Sequence, residues 1–453
     1  MAQHKTLKLT AFLMASTLSS MSYGAGFAII EQSVTGLGRA FAGSAAVAED
    51  ASTIFFNPAG LTQLQHMEVD MGLHLIAPRS EFNNDGSSHP LPAVLGGGDL
   101  SGGDGGNAGS LAPVPNLYFA MPLSDTVVAG FGVNAPFGLV TEYDDDWVGR
   151  YHAIKSDMLT MNFNPSIAFK ATDRLSLGFG INVQYIEVEL TSALDLGGAA
   201  TAAALQAGGA GAAIPLAGGT QNNDGYAKQK ADDWSWGYNL GLTFQATDAT
   251  RIGLAYRSKI SHHLTGKAKF RIPNNAVAQN VATVGNLING RATADVDLPE
   301  SASLAIHHQI NDQWAVMADA SWTRWSRFQE LAINFPNGTT VTKPEKWDNS
   351  MRYGLGLTYI HNDKWTFRSG VAYDETPISN QYRTARIPGE DRTWLAVGAS
   401  FNYSENLTID AGYTHIFLSD PKINEVDHSG YTLSGDYEAS VDILSVQARW
   451  MFM

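Results

Sequence analysis

The sequence contains no cysteine, so it has no disulfide framework and no thiolate metal site. It is also poor in positive charge: 29 Lys and Arg stand against 44 Asp and Glu, a net charge of −15. Such a chain offers no basic face to a nucleic acid. Long apolar runs are missing after the N-terminus, and none reaches the roughly 18 residues of a membrane-spanning helix. There is no Gly-x-Ser-x-Gly elbow, and His74, His152, His262, His263, His307, His308 and His415 are scattered. The chain is therefore not expected to be an enzyme. His262-His263 and His307-His308 are adjacent pairs. Neighbours in a strand point to opposite faces, so neither pair is expected to chelate a metal, and no cofactor is expected.

What is present begins with Lys5 and Lys8, then an uncharged stretch from Leu9 to Met21, then Ser22-Tyr23-Gly24. This pattern predicts a secretory signal peptide over residues 1–24, with the mature chain starting at Ala25. Most of the remainder alternates. Leu175, Leu177, Phe179, Ile181, Val183 and Tyr185 interleave with Ser176, Gly178, Gly180, Asn182 and Gln184. The same pattern runs through Trp234–Phe244, Trp365–Tyr373, Leu407–Tyr413 and Leu444–Phe452. A strand sends successive side chains to opposite faces, so each of these has one apolar and one small or polar face.

A soluble sandwich would alternate too. Three features favour a membrane barrel. The strands are long enough to span when tilted. Aromatics gather near strand ends, at Trp234 and Trp236, at Trp314, Trp322 and Trp325, and at Trp365, as interfacial girdles require. Short and long connections also alternate. Short Asp- or Asn-bearing turns fall at 124–126, 172–174, 247–249, 311–313, 362–364 and 404–406. Long ones fall near 78–112, 135–157, 192–231, 273–290, 336–346, 376–391 and 419–438. The expected fold is all-β, a transmembrane antiparallel β-barrel of about 14 strands over 67–453, with both ends on the periplasmic side of a Gram-negative outer membrane. In the last strand Phe452 is followed by Met453, so the C-terminal aromatic that resembles the signal for barrel-assembly machinery is displaced by one.

Residues 25–66 do not alternate. They hold Gly36-Leu37-Gly38-Arg39, a small-residue run from Ala42 to Ala48, and Asn57-Pro58-Ala59. Phe27, Ile29, Ile30, Phe41, Ile54, Phe55 and Phe56 would be costly to expose, so this segment is expected to plug the barrel as a hatch. The third strand, 127–134, runs into Ala135-Pro136-Phe137-Gly138. Pro and Gly there predict either a kink in the wall or an ordinary strand end.

The ordered motifs resemble the FadL/TodX transporters of hydrophobic compounds. They are Ala25-Gly26-Phe27, Gly36–Ala40, Ala48–Ala51, Asn57-Pro58-Ala59, Ala135–Leu139, Asn164-Pro165-Ser166, Leu298-Pro299, Trp325–Phe328, Trp365–Gly370 and Asp391–Leu395. The resemblance implies a monomer that captures an amphipathic ligand among its outer loops. The ligand passes to a pocket above the hatch and leaves sideways at a kinked third strand. On that pattern Lys343, Phe27 and Phe137 are the expected substrate-binding residues. Asn57, Pro58, Ala59, Pro136 and Gly138 are the expected hatch and gating residues.

Long-chain fatty acids are the first expected cargo. Lys343 falls where fatty-acid members carry a lysine that meets the carboxylate. Where they carry an Arg after the fifth strand, this chain has Ser192, and Arg150, His152 or Lys155 are candidate substitutes. That loss keeps uncharged aromatic or aliphatic cargo open. A surface adhesin or phage receptor is the alternative of another class. Asp144-Asp145-Asp146 is either a solvated cluster or a site for divalent ions that bridge lipopolysaccharide.

Overall fold

The computed structural model describes residues 26–452; the expected signal peptide and Ala25 lie outside them. The alternating segments form fourteen barrel strands. They are β1 (Met67–Asn84), β2 (Ala112–Pro122), β3 (Val127–Asn134 and Gly138–Glu142), β4 (Lys155–Lys170), β5 (Leu175–Asp195), β6 (Asp224–Thr247) and β7 (Thr250–Arg257 and Ile260–Arg271). Then come β8 (Gly290–Leu298 and Ser301–Gln309), β9 (Trp314–Thr323), β10 (Ser350–Ile360), β11 (Trp365–Asp374), β12 (Arg392–Asn402), β13 (Leu407–Leu418) and β14 (Thr432–Phe452). Neighbours pair antiparallel, and β1 closes the barrel on β14 from Met67↔Phe452 to Asn84↔Gly435. Closure removes the free sheet edges that lipid cannot hydrogen-bond.

The two faces sort as the pattern predicts. On β14, Leu444, Val446, Trp450 and Phe452 are exposed on the outside, whereas Ser445 and Gln447 are fully buried inside. Trp314 stacks on Tyr359 and Trp365 packs on Phe401 at the end that carries the short turns. Trp325 departs from the expected girdle, for it is fully buried in the lumen. Beyond β9 the chain turns inward, because Glu300 accepts hydrogen bonds from both Arg324 (3.0 Å) and Arg327 (2.9 Å).

Several outer loops are shorter than the alternation suggests. The β5–β6 hairpin stays paired to Asp195↔Asp224, so the loop expected over 192–231 narrows to 196–223. Its extension carries ion pairs across the ladder, Glu187–Lys230 at 2.7 Å and Glu189–Lys228 at 2.6 Å. Beyond the lipid only the inner face stays apolar, with Ile186 and Leu190 buried and Val188 lining the lumen, and the outer face carries charge instead.

Inside the barrel the hatch folds as three single helical turns, α1 (Val34–Leu37), α2 (Ser44–Val47) and α3 (Thr53–Phe56), then a tighter turn over Pro58–Gln63. Ser33 caps α1 by accepting the Gly36 N–H at 3.0 Å, as short polar residues do at helix starts. Asn57 caps the last turn in the same way, accepting from the Ala59 N–H. Its side-chain amide donates to Ala45 O (2.6 Å) in the hatch and to Leu242 O (3.0 Å) on β6. Gly178 and Gly241, paired across β5 and β6, let Asn57-Pro58-Ala59 lie directly on the wall. A Cβ on Gly178 would stand 2.2 Å from the Ala59 nitrogen, and one on Gly241 2.0 Å from the Asn57 amide oxygen.

Candidate functional site

The wall is interrupted at β3. Ladder pairing with β2 covers only Leu117–Pro122 against Val128–Val133, so the Ala112–Asn116 stretch of β2 has no partner there. Pro113 and Pro115 sit in it at alternate positions, so their missing N–H groups share one edge, the arrangement a partnerless strand edge tolerates. The backbone at Ala135–Phe137 leaves the sheet, and the hatch takes its hydrogen bonds. Ile29 N–H donates to Pro136 O (2.8 Å), and Gly138 N–H donates to Phe27 O (3.0 Å). The Gln32 side chain donates to Ala135 O (2.8 Å) and accepts from Ala135 N–H (3.3 Å). The hatch N-terminus thus lies like a short strand against the break, with Ala28 bridged to Phe137. Buried backbone groups must be paired, and here their partners are hatch residues together with Thr160 on β4, whose hydroxyl accepts from the Phe137 N–H (3.0 Å) and donates to its carbonyl.

The Phe27 ring sits in an aromatic cage. Its centroid lies 4.8 Å from Trp325, 5.5 Å from Trp347, 5.6 Å from Phe328 and 6.1 Å from Phe137. Two cavities meet at this cage. The outer one, about 80 Å³, is walled mainly by apolar side chains such as Phe27, Leu139, Met158, Leu264, Val296 and Phe328. The hatch cavity, about 160 Å³, reaches Pro136, Phe137 and Trp325 and is polar on its far side, with Glu31, Asp319, Arg352, Asp374 and Arg392.

The outer cavity has charged residues at its margin. Lys343 is not among its lining residues. Its ammonium lies 2.6 Å from Glu425 on the β13–β14 loop, and His152 approaches the same oxygen at 3.4 Å. Burial disfavours ionisation of Glu425, yet His152 and Lys343 hold its carboxyl well below the usual carboxylate range. Arg150 is engaged with Asp224 (2.8 Å) in the loops, and Lys155 lies 3.3 Å from Asp157. Arg386, from the β11–β12 loop, does line the cavity. It donates to Ser156 Oγ (3.0 Å) and to the carbonyls of Lys155 (3.2 Å) and Thr191 (3.4 Å). Glu345 lines the cavity too, and burial pushes its carboxyl up to about 8.

A family model described as outer membrane protein transport protein (OMPP1/FadL/TodX) matches residues 15–452. The chain belongs to this family. The long-chain fatty acid transport protein of Escherichia coli O6:H1 is 31% identical over 463 residues, covering 100% of this chain and 98% of its own. Outer membrane protein P1 of Haemophilus influenzae is 32% identical, covering 91% of this chain and 90% of its own. The crystal structure of a Pseudomonas aeruginosa FadL homologue superposes with a TM-score of 0.85 at 28% identity, over 94% of this chain and 100% of its own. The toluene transporter TodX of Pseudomonas putida shares the fold (TM-score 0.64, 18% identity, 89% of this chain and 94% of its own). The protein is a multi-pass barrel of the outer membrane, in a family of transport proteins.

Within this FadL/TodX barrel the expected residues fall into two groups. Phe27, Phe137, Pro136 and Gly138 converge on the β3 break. Asn57, Pro58 and Ala59 seat the hatch on β5 and β6, away from that break. Trp347 and Arg386 escape a reading of the sequence as site residues, because loop residues carry no periodic signal. The Trp325–Phe328 motif stood out only by resemblance. The adjacent histidines are held apart, as opposite strand faces dictate: His262 binds Asp233 (3.0 Å) and Gln184 (3.1 Å), and His263 binds Asp295 (2.6 Å).

Proposed function

We propose that this protein takes long-chain fatty acids into the cell passively, through the outer cavity, past Phe27 and sideways through the break in β3. The observation that carries the reading is the double role of the hatch N-terminus. Phe27 divides the two cavities, and the residues around it supply the hydrogen bonds that close the wall. One withdrawal would join the cavities and open the exit. Apolar contact contributes about 25 cal/mol per Å² buried, so an acyl chain binds the outer cavity without elaborate polar recognition. Partitioning and consumption inside the cell supply the direction. The curated relative of similar length is named for this cargo. On this reading the partners are the cargo, the surrounding lipid and lipopolysaccharide, and the barrel-assembly machinery, and the protein acts as a monomer after its signal peptide is removed.

Uncharged aromatic or aliphatic hydrocarbons are the second reading. The Lys343–Glu425 pair favours it, since the expected headgroup cation is already occupied.

The test is a lock. Ala28→Cys with Phe137→Cys joins hatch to wall, and the chain has no other cysteine to compete. In a Gram-negative host lacking its own transporter, the oxidised double variant should stop uptake of labelled oleate. Reduction should restore it to the level of the unoxidised double variant, and oxidant should leave uptake by each single variant unchanged. Uptake at the wild-type rate by the locked protein would show that cargo does not pass the hatch N-terminus.

A further inference from the structure

We propose that Arg386, together with Glu345, forms the site that takes the carboxylate end of an acyl cargo at the polar margin of the outer cavity. The inference rests on the uptake reading above and assigns its headgroup chemistry to residues other than Lys343.

The first argument is the state of the guanidinium. Arg386 donates to a hydroxyl and to two carbonyl oxygens, all neutral. Among the described residues no carboxylate oxygen lies within 4.0 Å of it, whereas Lys343 and Arg150 each have one and Lys155 has two. Burial lowers the pKa of Arg386, and the charges of Glu425 and Glu345 beyond that distance offset this only in part. A desolvated cation without a close anion is costly. A carboxylate arriving along the cavity offsets that cost, and a guanidinium's planar fork matches it with two parallel hydrogen bonds.

The second argument is position. Arg386 reaches the carbonyl of Thr191, the neighbour of Ser192, where the family resemblance places an arginine. A cation from a distant loop therefore stands beside the backbone that lost one. The acyl chain would run from there along Leu139, Met158, Leu264 and Val296.

Glu345 supplies the third. Its Oε2 accepts the Trp347 indole N–H at 3.2 Å. Burial, and next the charge of Glu425, raise its carboxyl to about 8, with Lys343 and Arg386 working in the other direction. At neutral pH it is protonated and can donate to the cargo carboxylate. Above about pH 8 it ionises and repels that carboxylate. The other charged groups facing this margin are already matched: Glu425 with Lys343 and His152, Asp157 with Lys155, and Lys230 with Glu187.

The experiment is equilibrium binding of palmitate and of hexadecanol to the detergent-solubilised full-length barrel, for the wild type, R386Q, R386K, K343Q and E345Q. Loss of a charge-assisted contact is expected to weaken palmitate by about tenfold or more in R386Q. Hexadecanol should change less than about twofold, R386K should recover part of the loss, and K343Q should lose less than R386Q. Wild-type palmitate binding should weaken from pH 7 to pH 9, and E345Q should flatten that dependence. Equal losses for acid and alcohol in R386Q would make Arg386 a packing residue and overturn the proposal. So would a palmitate-specific loss in K343Q alone, or no loss in R386Q. If the wild type binds neither ligand, the uptake reading fails instead.

Discussion

The two sides of the barrel satisfy their backbones differently. From β10 to β13 each ladder runs without a break, as in Arg392↔Leu418 to Asn402↔Thr408. From β3 to β8 the wall is interrupted repeatedly, at Ala135–Phe137 in β3, at Asn164-Pro165 between β4 and β5, at Ser258-Lys259 in β7 and at Pro299-Glu300 in β8. The regular side encloses the lumen and holds the hatch mainly by side chains, such as Arg368 on β11 with Glu49 at 3.2 Å. On the interrupted side wall side chains also hold the hatch, such as Arg257 on β7 with Phe55 O at 2.8 Å, but at the β3 break the hatch backbone itself completes the wall. On the proposed uptake reading, a barrel that releases cargo sideways needs a place where a ladder can be undone without unfolding, and exchanging strand–strand bonds for strand–hatch bonds would provide it.

Four substitutions break or sharpen this contrast. The largest effect is expected from Gly178→Val. Its Cβ alone would stand 2.2 Å from the Ala59 backbone, a clash neither side can relieve by a rotamer change. The hatch should leave its seat, and planar-bilayer recordings should show an ion-conducting pore that the wild type lacks. Phe27→Ala comes next. Truncating a fully buried aromatic costs about 3–5 kcal/mol and joins the two cavities. Hydrogen exchange at residues 27–32 should rise sharply while the β10–β13 ladders stay protected.

Gln32→Ala is expected to be smaller and equally local. It strips the partners from the Ala135 N–H and C=O, at about 1–3 kcal/mol for each group left unpaired. The same exchange measurement should show Ala135–Gly138 opening before any residue of β11 or β12. Equal acceleration on both sides would mean that the hatch is held as one body and that the contrast is wrong. Smallest should be Thr414→Val on β13, a fully buried side chain whose hydroxyl reaches Leu37 O only at 3.5 Å. The change should cost about 0.5–1.5 kcal/mol in denaturant unfolding, the net worth of one ordinary hydrogen bond.

The wall was legible because its code is local. Alternation at Leu175–Tyr185 or Leu444–Phe452 follows from two residues per strand repeat and one lipid-facing side, and six Asp- or Asn-bearing turns set the strand number. The hatch was legible as an exception to that code, since its aromatics could not be left in water. The strands' reach beyond the bilayer, at Glu187–Glu189 against Lys228–Lys230, was not, because there the outer face no longer meets lipid and carries ion pairs in place of apolar side chains.

What the sequence by itself determined is thus the barrel, its strand count and its plug, whereas at Ala135–Gly138 it left a kink and an ordinary strand end both open. Only the tertiary structure decided what the site is made of. Trp325 has the composition of a girdle residue and becomes a wall of the Phe27 cage, because Glu300 anchors the turn before it. Lys343 has the charge expected of a headgroup partner and is taken by Glu425, 82 residues further along the chain, whereas Arg386 finds neutral partners at Ser156 and Thr191. Whether a charge is matched or left for a ligand depends on which loops meet over the barrel mouth. Contacts between residues so distant in sequence leave no periodic trace in it.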